Sequence, residues 1–210
     1  MRGRFITLEG GEGVGKSTQV KALAEALRER GIDVLVTREP GGSEGAEKIR
    51  ELLLTGDADR WSPAAEALLF AAARADHVAK TIRPALQSGR WVISDRFVDS
   101  SLAYQGGGAR LGIEEVRAVN TFAIGDFLPD RTYVLLFGKG AKDALERATA
   151  RDNGATDRIG GKSLDFHYEV FLAFQRLHNE EPDRIRLVNA SGTPEEVTRL
   201  LLRDLEDLIP

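Results

Sequence analysis

The sequence predicts an α/β fold in which a five-stranded parallel sheet carries helices on both faces. The chain has 210 residues, of which 42% are hydrophobic and 30% charged, as expected for one ordinary globular domain. Short β-branched runs alternate with helical periodicity along the whole length, which indicates a parallel sheet with right-handed crossovers. Such a sheet binds ligands at the carboxyl ends of its strands. The strands are predicted at residues 4–9, 33–37, 91–94, 132–137 and 185–189.

The first strand leads into a glycine cluster and then into a helix. Val20, Leu23, Ala24 and Leu27 follow the spacing of one apolar helical stripe, and Gly31 stands where a C-terminal cap belongs. The second strand ends at the sequence Arg-Glu-Pro-Gly-Gly, in which proline and paired glycines predict a loop.

Three further helices have start signals or periodicity. Ser62 followed by Pro63 predicts a helix from Pro63 to about Ala73, and residues 76–86 are predicted to be mostly helical up to the stop at Gly89. A capping box at residues 193–196 opens the last helix.

Composition excludes several classes of protein. The formal net charge of −4 and the pI near 5.5 argue against a protein that coats nucleic acid. Cysteine is absent, which excludes disulfides and thiolate chemistry. The longest apolar run, residues 67–73, is too short to cross a bilayer, and the N-terminal residues lack the features of a secretory signal. We expect a cytoplasmic protein without membrane or nucleic-acid partners.

The glycine cluster forms a phosphate-binding loop. Residues 10–17, GGEGVGKS, fit the pattern G-x-x-x-x-G-K-[ST] between a strand and a helix. In this pattern glycines let backbone N–H groups turn inward onto phosphates at the helix N-terminus. We expect Lys16 to reach the β- and γ-phosphates and the Ser17 hydroxyl to bind Mg²⁺. The pattern predicts a three-layer P-loop NTPase-type fold that binds ATP and Mg²⁺. The predicted nucleotide-binding residues here are Gly10, Gly11, Glu12, Gly13, Val14, Gly15, Lys16, Ser17 and Thr18.

A second metal ligand is predicted at the end of the third strand. Asp95 follows the strand WVIS, in the position of the aspartate that holds Mg²⁺ in P-loop proteins. The next residue is Arg96 rather than the glutamate that orients water in ATP-driven motors, which favours transfer to an acceptor over hydrolysis. No Asn-Lys-x-Asp stretch is present, and this disfavours a signalling GTPase.

Arginines near the predicted loops suit phosphoryl transfer, in which fixed cations neutralise the charge of two phosphate-bearing partners. Arg38, Arg74 and Arg96 lie where a phosphate acceptor could bind. A mobile lid is predicted at about residues 147–163, because residues 151–162 are rich in Gly, Arg and Asp and poor in apolar residues. In or beside it are Arg147, Arg151 and Arg158.

Several specific motifs, spread over nearly the whole chain, resemble those of the thymidylate kinases, which phosphorylate dTMP to dTDP. They are FITLEGGEGVGKST at residues 5–18, REPGG at 38–42, LLFAAARADH at 68–77, DRFVDSSLAYQGGG at 95–108 and DR at 157–158.

The resemblance implies roles for individual residues in dTMP binding. Phe70 would stack on thymine, Arg74 would hydrogen-bond the base edge, and Tyr104 would pack under the deoxyribose. Glu12 would touch the sugar 3′-hydroxyl or the acceptor. The remaining residues with implied roles are Ser101 and Gln105 at the base, and Arg38 and Arg96 on the dTMP phosphate.

The lid resembles that of the bacterial type, which carries a catalytic arginine there. Gly13 stands at the place of the alternative phosphate-loop arginine, so Arg151 and Arg158 are the catalytic candidates and Arg147 would lie over the adenine. Gly160 replaces an acidic residue common in the family, and Glu169-Val170-Phe171 replaces an Arg-x-Arg pair. A Gly160-Gly161-Lys162 hinge could make the lid more mobile, or Lys162 could take part of the lost role.

These observations predict a phosphotransferase that moves the γ-phosphoryl group of ATP to dTMP in dTTP biosynthesis. The predicted catalytic residues are Lys16, Glu12, Arg96, Arg151 and Arg158. The resemblance also implies a homodimer. The rival hypotheses are a P-loop kinase for another nucleoside monophosphate and a nucleotide-switched binding module.

Overall fold

One parallel sheet runs through the part of the chain that the structure describes. The computed structural model describes residues 3–57, 59–138 and 158–209. The strands are β1 (Phe5–Gly10), β2 (Val34–Arg38), β3 (Trp91–Asp95), β4 (Arg131–Leu136) and β5 (Ile185–Asn189). They pair in parallel in the order β2-β3-β1-β4-β5. The predicted five-stranded parallel sheet is confirmed, with strand ends shifted by at most one residue.

Helices cover both faces of this sheet. Their bounds are α1 (Lys16–Glu29), α2 (Glu44–Leu54), α3 (Pro63–His77), α4 (Arg83–Gln87), α5 (Val98–Ser101), α6 (Ile113–Ile124), α7 (Leu164–Glu180) and α8 (Pro194–Asp204). The apolar stripe predicted for α1 is buried together with α8 on one face. Helices α3, α6 and α7 contribute to the core on the other face.

The central strand β1 is buried along its whole length. Its side chains alternate between the two faces, so that Phe5 joins one apolar cluster while Ile6 and Leu8 join the other. Phe5 packs edge-on against Phe97 with ring centroids 4.9 Å apart. A strand covered on both faces gives a rigid support to whatever loop follows it.

The predicted helix caps are confirmed. The Ser62 hydroxyl accepts from the Ala65 N–H at the start of α3. At the start of α8, the Thr193 hydroxyl accepts from the Glu196 N–H while the Glu196 carboxylate accepts from the Thr193 N–H, which completes the capping box. Gly31 follows α1 with a left-handed φ of 81°. Each cap satisfies backbone groups that have no partner inside the helix.

The two helices predicted at 63–73 and 76–86 are joined without a break. Helix α3 continues through a π-helical stretch, Val78–Ile82, into α4. Pro84 lies in the first turn of α4 and has no N–H to donate, so the usual backbone pairing cannot continue unchanged there. The chain keeps its helical course by widening one turn. A second π-helical stretch, Leu102–Gly108, follows α5.

Strand register brings the sites of interest together. Asp95 at the end of β3 pairs with Leu8 of β1 on one side and with Arg38 of β2 on the other. The carboxyl ends of these three strands therefore meet at one edge, as expected for a ligand site in a parallel sheet. Among the described helices, none combines the length and apolar character needed to cross a membrane.

Candidate active site

The phosphate loop connects β1 to α1 in a conformation that requires glycine. Gly10, Gly13 and Gly15 have φ angles of 127°, 72° and 96°. A Cβ on Gly10 would lie 2.5 Å from the carbonyl oxygen of Leu135. The Lys16 ammonium folds over the loop and donates to the carbonyl oxygens of Gly11 at 2.6 Å and Gly10 at 3.3 Å. The loop is therefore shaped by its own lysine and opens at the N-terminus of α1, where anions bind favourably.

The two predicted magnesium ligands are in contact. The Ser17 hydroxyl donates to Oδ2 of Asp95 at 2.7 Å. Hydroxyl and carboxylate oxygens are the donors that Mg²⁺ prefers, and Mg²⁺ takes the rest of its shell from substrate phosphates and water. Within the described ranges, no group of three His, Cys, Asp or Glu side chains is arranged to hold a metal by itself. The donor set fits a cation that arrives with a polyphosphate.

Arg96 is the centre of the polar network beside the loop. Its backbone is left-handed, with φ 71°, which is uncommon for a residue other than glycine. Nη2 donates to the Glu12 carboxylate at 2.6 Å and to the Tyr104 hydroxyl at 3.2 Å, and Nη1 donates to the Gly10 carbonyl at 2.9 Å. The guanidinium also lies 4.9 Å over the ring of Tyr104. One side chain thus connects the loop to the π-helical stretch after α5.

The charges of this network shift the pKa values of its members. Burial opposes ionisation of Glu12, but the neighbouring charges of Arg96 and Lys16 outweigh it and lower the pKa of Glu12 to about 2. Burial, together with repulsion from Arg96, lowers the pKa of Lys16 to about 8, although Glu12 and Asp95 partly offset this. Despite its burial, the pKa of Arg96 is raised by Tyr104 and Glu12. Glu12 and Arg96 are therefore a fixed ion pair at neutral pH.

A cavity of about 270 Å³ extends from the phosphate loop between α2, α3 and the Leu102–Gly108 stretch. Most of the site residues predicted from the sequence line it, so the residues predicted to bind ATP and those predicted to bind the acceptor share one cavity. On the loop side they are Glu12, Gly13, Gly15, Lys16, Ser17 and Thr18, with Asp95 beside them; on the far side they are Arg38, Phe70, Arg74, Arg96, Ser101, Tyr104 and Gln105. Gly10, Gly11 and Val14 are in the loop behind this surface, where Val14 is buried in the core.

The far side of the cavity has an aromatic and polar wall. Phe70 is 9% exposed, and it belongs to the core and to the cavity surface at the same time. Tyr104 packs edge-on against Phe166 and Phe174. Its hydroxyl lies 3.3 Å from Glu12, so burial and the Glu12 charge raise the pKa of Tyr104 although Arg96 opposes the shift.

Arg74 is more strongly bound within the protein than the resemblance implies. It is 2% exposed, and Nε donates to Glu39 at 2.8 Å. Its terminal nitrogens donate to the side chains of Ser101 and Asn120 and to the Phe97 carbonyl. A guanidinium has five N–H groups, and four of those of Arg74 donate to acceptors in the described part of the chain. The remaining one is all that Arg74 can offer to a ligand in this arrangement.

The structure adds an arginine that the sequence analysis missed. Arg50 of α2 lines the cavity and donates to the Pro40 carbonyl at 2.7 Å. Arg38 lies at the same side of the cavity, paired with Glu47 at 3.0 Å and half exposed. The position of Arg50 depends on how α2 packs against α3, and no local motif marks it. Two arginines therefore face the acceptor side together with Arg96.

The predicted lid arginines are placed only in part. Arg147 and Arg151 lie outside the described residues. Arg158 is buried, where it donates to Oε2 of Glu66 and, at 2.9 Å, to the carbonyl of Leu53. In this structure Arg158 is turned toward α2 and α3, where the Glu66 carboxylate compensates the buried guanidinium. Its neighbour Ile159 lines the cavity.

Glu9 is a second residue that the sequence analysis missed. It is fully buried at the end of β1, where it accepts from the Phe97 N–H at 2.6 Å and from the Ser100 hydroxyl. Burial and the nearby charge of Asp99 raise the pKa of Glu9 to about 8, against the opposing effect of the Ser100 hydrogen bond. An acidic residue inside an apolar strand is the signal that could have found it. At neutral pH Glu9 adds little negative charge beneath the phosphate loop.

This pKa predicts how stability depends on pH. The folded protein holds a proton on Glu9 up to about pH 8, whereas the unfolded chain releases it near 4.5. The free energy of unfolding should therefore fall as pH rises through this window. Glu9→Gln should remove at least about 1 kcal/mol of that fall, the equivalent of one pKa unit.

Denaturant titrations of the wild type and Glu9→Gln at pH 5 and pH 8 measure the effect. Glu25→Gln, at an exposed position of α1, is the matched control and should keep the wild-type slope. Parallel pH dependence of Glu9→Gln and the wild type would contradict the raised pKa.

Comparison with known proteins agrees with this geometry. The family model described as thymidylate kinase matches residues 8–201. Curated relatives include thymidylate kinase of Rhizorhabdus wittichii, 58% identical over 100% of both chains, and thymidylate kinase of Bradyrhizobium diazoefficiens, 46% identical over 100% of this chain and 92% of the relative. A solved structure of thymidylate kinase from Ehrlichia chaffeensis superposes with a TM-score of 0.78 at 31% identity, covering 98% of this chain and 99% of the other. The chain belongs to the thymidylate kinase family.

Proposed function

We propose that this protein transfers the γ-phosphoryl group of ATP to the 5′-phosphate of dTMP, giving dTDP and ADP. It is an ATP-dependent dTMP kinase of nucleotide biosynthesis. One observation supports this above the others. A single cavity joins the phosphate loop to a slot walled by Phe70, Tyr104 and Gln105. A donor and an acceptor bound there would meet at their phosphates.

The phosphate loop is the proposed donor site. Its inward N–H groups and the N-terminus of α1 suit the β- and γ-phosphates of ATP. Lys16 would exchange the Gly10 and Gly11 carbonyls for phosphate oxygens, which restores its full positive charge. Contact of Arg147 with the adenine rests on the family resemblance alone.

Mg²⁺ is the proposed metal of the reaction, held by Ser17 and by Asp95 directly or through water. When bound with ATP, it neutralises charge on the β- and γ-phosphates. The 2.7 Å contact between the two side chains supports the assignment, because both can turn toward one cation at the end of the loop.

The far side of the cavity is the proposed acceptor site. Arg38, Arg50 and Arg96 would bind the dTMP phosphate, and the ionised Glu12 would approach the sugar 3′-hydroxyl. Tyr104 would pack under the deoxyribose. The base would stack on Phe70, with Arg74, Ser101 and Gln105 around its edge.

The phosphate oxygen of dTMP is itself the nucleophile, so no covalent enzyme intermediate is needed. Lys16 and Arg96 supply fixed positive charge where the transferred group passes, and such preorganised charge is usually the largest part of catalysis. We extend the proposal to one domain with the predicted lid at about 147–163, of which residues 147–157 lie outside the described part of the chain. Catalysis by Arg151 and Arg158 rests on the resemblance, and Arg158 would have to leave Glu66 to take part.

A homodimer in the cytoplasm completes the proposal. Helix α3 is apolar on both sides: Phe70 faces the site, while Ala64, Leu68 and Ala72 form an exposed stripe. Helix α6 packs against α3 and carries Phe122, which is 95% exposed. Two exposed apolar helix surfaces side by side favour association with a second copy.

Removal of the loop lysine should abolish transfer and leave the fold intact. Lys16→Ala removes the cation that binds the transferred group, so dTMP-dependent ADP formation should fall by at least about 10²-fold. Lys21→Ala, at an exposed position of the same helix, is the matched control and should retain wild-type turnover. Wild-type-like turnover of Lys16→Ala would falsify the mechanism.

A panel of acceptors tests the assignment of the substrate. With ATP and Mg²⁺, kcat/KM should be highest for dTMP when dTMP, dCMP and dGMP are compared in one coupled assay. Turnover of dCMP or dGMP as fast as that of dTMP would favour a kinase for another monophosphate. Slow ATP hydrolysis at a rate that none of the acceptors changes would favour a nucleotide-switched binding module.

The dimer proposal predicts the effect of a charge at Phe122. Phe122→Glu should convert a dimer into a monomer, as measured by light scattering during size-exclusion chromatography at micromolar concentration. Tyr168→Glu places the same change at a 54% exposed aromatic of α7 and should remain dimeric. A monomeric wild type, or a dimeric Phe122→Glu variant, would contradict the proposed interface.

A further inference from the structure

Glu66 lies behind the proposed base slot and contacts residues on two sides. It is 1% exposed, in the first turns of α3, one helical turn before Phe70. Oε1 accepts from Nε2 of Gln105 at 2.9 Å, and Oε2 accepts from Arg158. Lys162 places its ammonium 3.8 Å from the same Oε2. The carboxylate is therefore held by one amide and two cations.

These contacts determine which way the Gln105 amide faces. An ionised carboxylate only accepts hydrogen bonds, so the NH₂ group of Gln105 must point toward it. A flipped amide would place its carbonyl oxygen against the carboxylate, and both atoms would be buried acceptors without a proton between them. Glu66 thereby selects one of the two orientations of the amide.

The selected orientation leaves the carbonyl oxygen of Gln105 for the cavity. Gln105 lines the cavity and is itself 1% exposed. In the described part of the chain, no donor makes a hydrogen bond to that oxygen. A rigid acceptor in a base slot recognises a base edge that donates. Thymine donates from N3, whereas cytosine carries an unprotonated N3 that accepts.

We propose that Glu66 is a specificity-determining positioning residue, which locks the Gln105 amide so that its carbonyl accepts from the N3–H of thymine and repels N3 of cytosine. This inference rests on the proposed function, because it assumes that the cavity binds a pyrimidine monophosphate. Glu66 acts through Gln105 and does not touch the base.

A neutral amide at position 66 would release the lock. The side chain of Glu66→Gln can donate or accept, so Gln105 can turn either way and present its NH₂ to cytosine. The ratio of kcat/KM for dCMP to that for dTMP should rise by about tenfold, the equivalent of one net hydrogen bond. The change should appear mainly in the KM for the two acceptors, with the KM for ATP unchanged.

A double-mutant cycle separates this role from a merely structural one. In the Gln105→Ala background there is no amide to turn, so adding Glu66→Gln should leave the dCMP to dTMP ratio where Gln105→Ala alone puts it. Lys162→Ala leaves the Glu66 to Gln105 contact intact and should keep the wild-type ratio. A general loss of packing would instead lower kcat/KM for both acceptors in both backgrounds.

Glu66→Gln removes the carboxylate of the buried ion pair with Arg158, and the loss of this pair can prevent the variant from folding. In that event the Glu66→Gln/Arg158→Gln double variant, which removes both charges, is measured by the same ratio. Any direct effect of Arg158 on transfer is common to the two acceptors and cancels.

The wild type is assayed first with both acceptors. A preference for dTMP that persists unchanged in folded Glu66→Gln, or an equal rise of the ratio in the Gln105→Ala background, overturns the inference and leaves the proposed function standing. A wild type that does not prefer dTMP contradicts the proposed function itself, and with it the role of Glu66.

Discussion

The ion pair between Arg96 and Glu12 holds the two halves of the site together. Arg96 begins the segment after β3 in a left-handed conformation, and Glu12 belongs to the phosphate loop after β1. The guanidinium also binds the Gly10 carbonyl and lies against Tyr104, so donor loop, sheet edge and acceptor wall share one cation. Removal of either charge would leave the other poorly compensated at a largely buried position. We expect this to lower the free energy of unfolding more than the loss of a surface ion pair does.

Charge around this pair is arranged for a ligand that brings negative charge. Glu9 stays protonated up to about pH 8 because it is buried near Asp99, and Lys16 has a pKa lowered to about 8 by burial and by Arg96. A phosphate at the loop would compensate Lys16 and Arg96 together. Arginines from α2 and from the end of β2 add positive charge on the acceptor side. Two phosphate-bearing substrates suit such a site better than one.

Local signals predicted the elements that frame the site, and non-local packing produced the rest. Strand runs, the Ser62 and Thr193 caps and the glycines of the loop lie in short stretches of sequence, and all are confirmed. Arg50 could not be predicted, because its place on the cavity wall depends on the packing of α2 against α3. The burial of Arg158 against Glu66 joins residues 92 positions apart, and no spacing rule relates them.

The sequence by itself determined the parallel sheet, the phosphate loop and, through its motifs, the family. Each of these follows from backbone preferences or from residues adjacent along the chain, where propensity and spacing act directly. Only the tertiary structure decided which groups are charged, which arginines are already bound and which way a buried amide faces. Those properties depend on desolvation and on partners from distant segments, so they exist only after the chain has folded.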